Sequence, residues 1–245
     1  MPLPPEFDRL CVVLVRTRNP LNLGAAARAM SNFGFSRLRA VAPYDPAFRE
    51  ARSAVGASAI LAGASEYKNV AEAVADCTLV VGTTAARDRQ LQHPLRRLEA
   101  GAKIIRKQLA LSRVGLLFGS EKRGLSSDDL SHCHWLLRIP TVEEHGSMNL
   151  GQAVAVTLYE LVRASSQSSS GKRKPASKPA SADDLERLTT TLLDALFASG
   201  YVKAGAGAST EMKARRLIRR LNFEEADAQV WLGMLRQIRW KLKSE

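Results

Sequence analysis

Cysteine is scarce in this sequence, and its scarcity argues against a disulfide-stabilised or zinc-dependent fold. The three cysteines among 245 residues, Cys11, Cys77 and Cys133, are widely spaced and odd in number, unlike a framework of paired bridges. Cys11 and Cys77 lie beside apolar, β-rich runs, so we expect buried free thiols. His132 and His134 flank Cys133, but no second Cys/His pair stands at ligand spacing, and we therefore predict no metal site.

Long apolar runs and acidic residues are also in short supply. No run approaches the roughly 20 apolar residues that span a bilayer, and residues 1–6 lack the basic and apolar regions of a signal peptide. We therefore expect a cytoplasmic protein. The 24 Asp and Glu are outnumbered by 36 Lys and Arg, which gives a formal net charge of +12. This charge attracts RNA, DNA or an anionic membrane without distinguishing among them, and a basic protein with no such partner is the alternative.

Apolar runs alternate with helical patterns over residues 1–163. The runs predict strands at 10–15, 38–41, 78–82, 114–119 and 135–139. The intervening patterns predict helices at 22–34, 51–64, 69–75, 98–111 and from 150 onward. Strands that alternate with helices indicate an α/β fold with a parallel sheet covered on both faces. Ligands of such sheets bind beyond the carboxyl ends of the strands.

Three loops that follow predicted strands carry polar residues beside glycine. In the first, Asn22 begins a helix that Gly34 closes, Gly24 leaves room for close approach, and Arg28 lies one turn beyond Gly24. In the second, Glu121 lies between Gly119 and Gly124, and in the third, Ser147 and Asn149 stand at the mouth of a helix. Singly, a solvated arginine and an ordinary helix cap explain these residues equally well. Together, the three loops predict one site.

Four arginines that follow predicted strands are candidate phosphate ligands. Arg16 and Arg18 follow the first strand, and Arg87 and Arg89 lie in the charged segment 87–94. A solvated loop is the alternative for the second pair.

The composition changes after residue 163, which predicts three parts: a domain at 1–163, a flexible basic linker at 164–182 and a helical extension at 183–245. A plain tether is the alternative to a linker that contacts RNA. In the extension, we expect Asn222 to cap the last helix and the apolar residues of that helix, Trp231 and Trp240 included, to form a core. The basic middle helix at 213–221 is expected to contact tRNA or a second subunit.

The three loops match, in order, three motifs of a known family. They read Asn22-x-Gly24-x-x-x-Arg28, then Phe118-Gly119-x-Glu121-x-x-Gly124-Leu125, then Ile139-Pro140 with Ser147-Met148-Asn149-Leu150. Over residues 8–163 the sequence therefore resembles the SpoU branch of the SPOUT RNA 2′-O-ribose methyltransferases, and within it the TrmJ type. The segment 142–146, which contains Glu143 and Glu144, departs from the wider family pattern, as does Met148.

The resemblance implies a parallel α/β sheet with a deep trefoil knot in its carboxyl-terminal part, S-adenosylmethionine as cofactor, and a homodimer whose subunits share the site. It implies tRNA as the partner, not a membrane, with methylation of cytidine or uridine at position 32, the first nucleotide of the anticodon loop. An enzyme of the same family that acts on rRNA and a non-catalytic RNA-binding protein are the alternatives. The implied cofactor-binding residues are Thr83, Thr84, Ala85, Gly119, Ile139, Gly146, Ser147 and Met148.

The resemblance also implies catalytic roles. Arg28 would activate the ribose hydroxyl, and Asn22, Glu121, Ser147 and Asn149 would support it. Because a guanidinium keeps its proton in proteins, we expect Arg28 to clamp phosphate and stabilise developing alkoxide charge instead of acting as a literal base. We expect Glu121 to orient Arg28 by an ion pair.

Overall fold

The computed structural model describes residues 4–53, 59–85, 92–142, 147–163, 178–202 and 206–243. In these residues one sheet contains seven parallel strands in the order β3-β2-β1-β6-β4-β7-β5. The strands are β1 (Leu10–Val15), β2 (Arg37–Val41), β3 (Ser65–Tyr67), β4 (Leu79–Thr83), β5 (Leu95–Arg97), β6 (Val114–Phe118) and β7 (Trp135–Arg138).

Helices connect the strands and form the carboxyl-terminal part. They are α1 (Pro20–Asn32), α2 (Asp45–Ser53), α3 (Ala59–Ala62), α4 (Val70–Val74), α5 (Leu98–Leu109), α6 (Ser127–Ser131), α7 (Leu150–Arg163), α8 (Ala182–Ala198), α9 (Gly207–Arg220) and α10 (Glu225–Lys243). The predicted α/β class with a parallel sheet is confirmed, and the knot stays a prediction. Within the described ranges, no helix combines the length and apolarity needed to cross a membrane.

The central strands are buried on both faces. Leu10, Val12 and Leu14 of β1 pack in one hydrophobic cluster, and the alternating residues Cys11 and Val13 pack in another on the opposite face. This alternation follows from the two-residue period of a strand, and it explains why β1 reads as a continuous apolar run. All three cysteines are buried and free, as predicted.

The five predicted strands are confirmed, with bounds that shift by at most one residue. The sequence pattern does not predict β3 and β5, because each has only three residues and all but one of the six are exposed. The helix predicted at 51–64 is replaced by α2 and α3, and residues 54–58 lie outside the described part.

Two predicted helix caps are wrong. Helix α1 begins at Pro20, and the Asn19 side chain accepts the cap hydrogen bond from the Leu21 amide at 2.9 Å, which leaves Asn22 inside the helix. Asn222 has a φ of +48° and ends α9 instead of capping α10, a left-handed position that asparagine tolerates. Gly34, with a φ of +72°, follows the end of α1 as predicted.

The carboxyl-terminal helices have a small core of their own. Leu185 and Leu188 of α8, Ile218 of α9, and Ala228 and Leu232 of α10 form this third buried cluster. Residues 178–182, assigned above to the linker, belong to this structure. The Ala180 amide donates a hydrogen bond to the Phe223 carbonyl, and the Ala182 amide donates one to the Cys77 carbonyl at 2.7 Å. The rest of the linker, 164–177, lies outside the described residues, and the three-part division stays a prediction.

A buried charged cluster attaches the helical extension to the sheet domain. Arg215 of α9 donates to Glu186 of α8 at 2.8 Å and to the Ser131 hydroxyl at 3.0 Å. Arg219 donates to Glu186 at 3.2 Å and to the carbonyl of His132 at 2.9 Å. Removal of one partner from such a cluster costs about 3–5 kcal/mol, because it leaves a buried charge unpaired.

Burial and neighbouring charges determine the protonation of His132 and Glu186 in this cluster. Burial and, after it, the positive charges of Arg219 and Arg215 together lower the pKa of His132 to about 3, so the imidazole is neutral at pH 7. Burial alone would raise the pKa of Glu186, but the hydrogen bond from Arg215 holds it below its ordinary value. The prediction that the basic middle helix meets tRNA or a second subunit is therefore wrong for Arg215 and Arg219, which are 4% and 1% exposed.

Helices α1 and α7 pack closely, and Gly151 makes their contact possible. A Cβ atom at Gly151 would lie 2.5 Å from the Cβ of Ala25. We therefore expect Gly151→Ala to lower the free energy of unfolding by about 1–3 kcal/mol, the cost of overpacking.

Gly233 of α10 is the matched control, because a Cβ atom there meets nothing within 4 Å. Gly233→Ala is expected to raise the free energy of unfolding by about 0.5–1 kcal/mol, since alanine favours the helix. Urea unfolding of both variants checks the pair. Equal stability of the two variants would contradict the proposed close contact.

Candidate active site

A cavity of about 390 Å³ opens at the carboxyl ends of the adjacent strands β6, β4 and β7. Its volume is in the range of small-molecule sites. Its wall combines apolar, hydroxyl and charged side chains from the loops that follow the three strands. The lining residues that matter here are Thr83, Thr84, Ala85, Gly119, Glu121, Lys122, Arg123, Leu125, Leu137, Ile139, Ser147 and Met148.

This cavity collects the predicted cofactor residues that the structure describes. Seven of them line it: Thr83, Thr84, Ala85, Gly119, Ile139, Ser147 and Met148. The eighth, Gly146, lies outside the described residues together with Glu143 and Glu144. Backbone and side-chain bonds fix the loop after β4: Thr83 Oγ1 donates to the Leu117 carbonyl at 2.9 Å, and the Thr84 amide donates to the Leu137 carbonyl at 3.0 Å.

The loop after β6 is tight, and its two glycines make the turn possible. A Cβ atom at Gly119 would lie 2.0 Å from the carbonyl carbon of Gly124. Gly124 has a φ of +64°, and its amide donates to the Ser120 carbonyl at 2.8 Å. This turn places Glu121 at the rim of the cavity.

Glu121 lies at the amino-terminal end of α1. Its carboxylate accepts a hydrogen bond from Asn22 Nδ2 at 2.9 Å and longer ones from the amides of Arg18 and Asn19, both at 3.4 Å. The first amides of a helix lack partners within the helix and carry its partial positive charge. The carboxylate therefore connects the second loop to the first.

Asn149 extends these contacts to the third loop. Its Nδ2 donates to Asn22 Oδ1 at 2.8 Å, and its Oδ1 accepts from the amides of Gly151 and Gln152 at 2.9 and 3.4 Å. Asn149 is therefore the cap of α7 and a partner of Asn22 at once. The result is a continuous hydrogen-bond chain from the start of α7 through Asn149 and Asn22 to Glu121, and it joins all three motifs.

Arg28 lies on the exposed side of α1 and does not line the cavity of its own chain. The expected ion pair between Glu121 and Arg28 is not found among the described residues. Glu121 bonds Asn22 instead, since Asn22 lies on the buried side of α1, one and two-thirds turns before Arg28.

The four arginines proposed for RNA binding have different fates. Arg16 pairs with the buried carboxylate of Asp129 and donates to Ser126 at 3.4 Å, so its guanidinium supports the cap of α6, and its proposed contact with phosphate stays a prediction. Arg18 is exposed and its guanidinium lies 5.9 Å from the ring centre of Tyr44. Arg87 and Arg89 lie outside the described residues.

Sequence reasoning missed several lining residues. Lys122 and Arg123 occupy positions that the second motif leaves unspecified, and Leu137 reads as an ordinary strand residue. Lys122 and Arg123 directly follow Glu121 in the sequence, and this position is what could have identified them as lining residues. In the described part of the chain, no group of three or more His, Cys, Asp or Glu side chains is placed to hold a metal ion.

The hydrogen-bond chain has a defined direction, which a substitution can test. Asn22→Asp would place a carboxylate against Glu121 and remove the donor between them. We expect this variant to lose about 1–3 kcal/mol of unfolding free energy, the cost of an unsatisfied pair. Urea unfolding at pH 7 measures the loss.

The control restores the donor from the other side. In Asn22→Asp combined with Glu121→Gln, the new amide can donate to the new carboxylate, and Asn149 keeps its acceptor. We therefore expect the double variant to regain most of the lost stability. A double variant that is no more stable than Asn22→Asp would rule out the proposed direction.

Known proteins match this chain over nearly its whole length. A model of the SpoU rRNA Methylase family matches residues 9–159. The tRNA (cytidine/uridine-2'-O-)-methyltransferase TrmJ of Sodalis glossinidius is 37% identical over 238 residues, which cover 96% of this chain and 92% of that protein. The protein of the same name from Klebsiella pneumoniae is 35% identical over 246 residues, which cover 98% of this chain and 100% of that protein.

A solved structure has the same architecture. The crystal structure of TrmJ from Z. mobilis ZM4 aligns with a TM-score of 0.80 and 33% identity, over 93% of this chain and 98% of that one. The family match includes all three motif loops and the strands that precede them. The resemblance inferred from the motifs is thus confirmed: the chain belongs to the SpoU rRNA methylase family.

Proposed function

We propose that this protein transfers a methyl group from S-adenosylmethionine to a ribose 2′-hydroxyl of tRNA. The observation that carries the proposal is the hydrogen-bond chain from Glu121 through Asn22 to Asn149, which assembles the three motifs at the rim of one cavity. Relatives that match nearly the whole chain have names that specify 2′-O-methylation of tRNA.

The cavity suits the chemical groups of S-adenosylmethionine. Apolar side chains such as Leu125 and Ile139 offer a surface for an adenine ring, and Thr83 and Ser147 offer polar groups for its ribose. The cations of Lys122 and Arg123 complement the cofactor's carboxylate, while Glu121 complements its positive charges. When bound, the cofactor supplies an electrophilic methyl group on a sulfonium. Thr84, Ala85, Gly119 and Met148 complete the proposed binding set, with Gly146.

The residues of this chain position the RNA and stabilise charge. The attacking hydroxyl must align with the methyl carbon, and its proton must pass to water or to a phosphate oxygen of the RNA as the new bond forms. Arg28 clamps a phosphate beside the target ribose and stabilises the charge that develops on the hydroxyl oxygen, while its own proton stays in place. Asn22, Glu121, Ser147 and Asn149 hold the loops that fix this geometry.

The homodimer shares its sites between subunits. The position of Arg28 on the exposed side of α1, away from the cavity of its own chain, supports this arrangement. Arg16, Arg18, Arg87 and Arg89 contribute to tRNA binding, and the net charge of +12 favours a polyanion. The reaction takes place in the cytoplasm, and the target is cytidine or uridine at position 32.

Labelling of RNA tests the proposal directly. The protein is incubated with S-adenosylmethionine that carries a labelled methyl group, together with unmodified tRNA and rRNA. We expect label in tRNA, at the 2′-oxygen of nucleotide 32, in a dinucleotide that resists alkaline hydrolysis.

The other outcomes have distinct meanings. Label in rRNA alone would favour the rRNA enzyme that the family description names, and RNA binding without label would indicate a non-catalytic protein. Label at another anticodon-loop nucleotide, position 34 included, would contradict the assigned position but not the reaction.

The role of Arg28 is tested by Arg28→Ala. We expect its kcat to fall by about 10²–10³-fold, the size of a lost contact to transition-state charge. The Kd for tRNA should change little, because one phosphate contact contributes a small part of the total.

Arg49 provides the control, since it is an exposed arginine on α2 that pairs with Asp45 at the surface. Arg49→Ala should methylate at the rate of the unchanged protein. If Arg28→Ala kept full activity while it bound the same tRNA, the assignment of Arg28 would be wrong.

A further inference from the structure

Helix α10 is apolar on two faces, and only one of them is covered. Ala228, Leu232 and Leu235 are buried in the core of the helical extension. On another face, Val230, Trp231, Met234 and Ile238 are 56%, 45%, 52% and 51% exposed. We call these four residues the outer stripe. The expectation that these side chains form a core within one chain is therefore wrong.

The outer stripe has the spacing of a seam between two packed helices. Trp231, Met234 and Ile238 are three and four residues apart, and Asp227 and Lys241 continue the same spacing at the two ends. A seam with steps of four, three, four and three residues stays on one side of a helix and is typical of helix pairs. Asp227 and Lys241 are both exposed.

The pattern is symmetric about Met234. Val230 and Ile238 lie four residues on either side of it, and Asp227 and Lys241 lie seven residues on either side. In an antiparallel pair of identical helices that cross at Met234, the apolar middle of one seam faces the apolar middle of the other. Each Asp227 then faces a Lys241 of the other copy. Because the stripe is complementary to a second copy of itself in the antiparallel direction, it fits a two-fold contact between identical chains.

We propose that the outer stripe is a contact between two copies of this chain, in which α10 of one copy packs antiparallel against α10 of the other, with the two-fold axis at Met234. This contact is separate from the shared catalytic site and does not depend on the proposed function. Covering the four exposed apolar side chains supplies the driving force.

RNA fits the outer stripe less well than a second copy does. The four residues of the stripe carry no cation, and an RNA-binding face needs cations that contact phosphates. Arg239 of α10 donates to Asp194 of α8 at 2.7 Å, so its charge is paired within the helical extension. An aromatic residue that stacks on a base would also need neighbouring positive charge, which only the end of the stripe offers.

Cross-linking through position 234 tests the contact. The three native cysteines are buried, so Met234→Cys introduces the accessible thiol. On the proposed two-fold axis this thiol meets its own copy, and mild oxidation should give a disulfide-linked dimer of the full chain at micromolar concentration. Arg236→Cys, an exposed position on the opposite side of the same helix from Met234, is the control and should cross-link far more slowly.

Charge exchange tests the antiparallel register. In the Met234→Cys background, Asp227→Lys should slow cross-linking by roughly three- to tenfold, because each lysine then faces Lys241 of the other copy. Adding Lys241→Asp to the same chain restores opposite charges and should restore the rate. The circular dichroism and melting temperature of each variant establish that it is folded.

Three results would overturn the proposal. One is equal cross-linking at positions 236 and 234, and another is a charge-exchange variant that does not recover. The third is protection of the introduced thiol at position 234 from a thiol reagent by tRNA, with no disulfide-linked dimer in its absence, which would assign the stripe to RNA.

Discussion

The arrangement of the candidate active site depends on one chain of hydrogen bonds whose direction is fixed. An asparagine amide has a donor end and an acceptor end, and the acceptor of Asn149 is occupied by backbone amides at the start of α7. Its donor must therefore turn to Asn22, whose own donor must turn to Glu121. A carboxylate only accepts, so the chain ends there without an unsatisfied atom. Reversal of either amide would set two acceptors against each other.

This chain explains why three short motifs far apart in the sequence act as one unit. The residues that it joins are 99 and 127 positions apart. Asn22 lies in the first turn of α1, Asn149 directly precedes α7, and Glu121 lies in the turn after β6. The close packing of Gly151 against Ala25 brings the starts of α1 and α7 together, and the turn at Gly119 and Gly124 brings the carboxylate to them. Glycine at these positions therefore allows the close packing of the helices and of the turn, and this packing places the walls of the cavity.

Sequence reasoning succeeded where the signal is local and failed where it is not. An apolar run such as β1 predicts a strand, because a strand that is buried on both faces must be apolar at every position. The three loops follow strands of one parallel sheet, which predicts that they lie close together. The pairing of Arg16 with Asp129 and the bond of Glu121 to Asn22 in place of Arg28 depend on the relative placement of separate loops. Nothing in the spacing of these residues determines such partners, since either arginine offers the same chemistry to a carboxylate.

The helical extension shows why composition misleads about partners. Arg215 and Arg219 give α9 a basic sequence, but both guanidinium groups are buried around Glu186 and fasten the extension to the domain. Helix α8 contacts α9 in this cluster and packs against α10 in the core of the extension. A second apolar face of α10 is exposed. The carboxylates of Asp128, Glu186 and Glu211 neutralise both arginines, so this cluster adds no excess positive charge that would attract tRNA. The apolar residues that resemble a core lie where a second chain can reach them. The cluster around Glu186 buries two cations of α9, and the apolar side chains of α10 stay exposed.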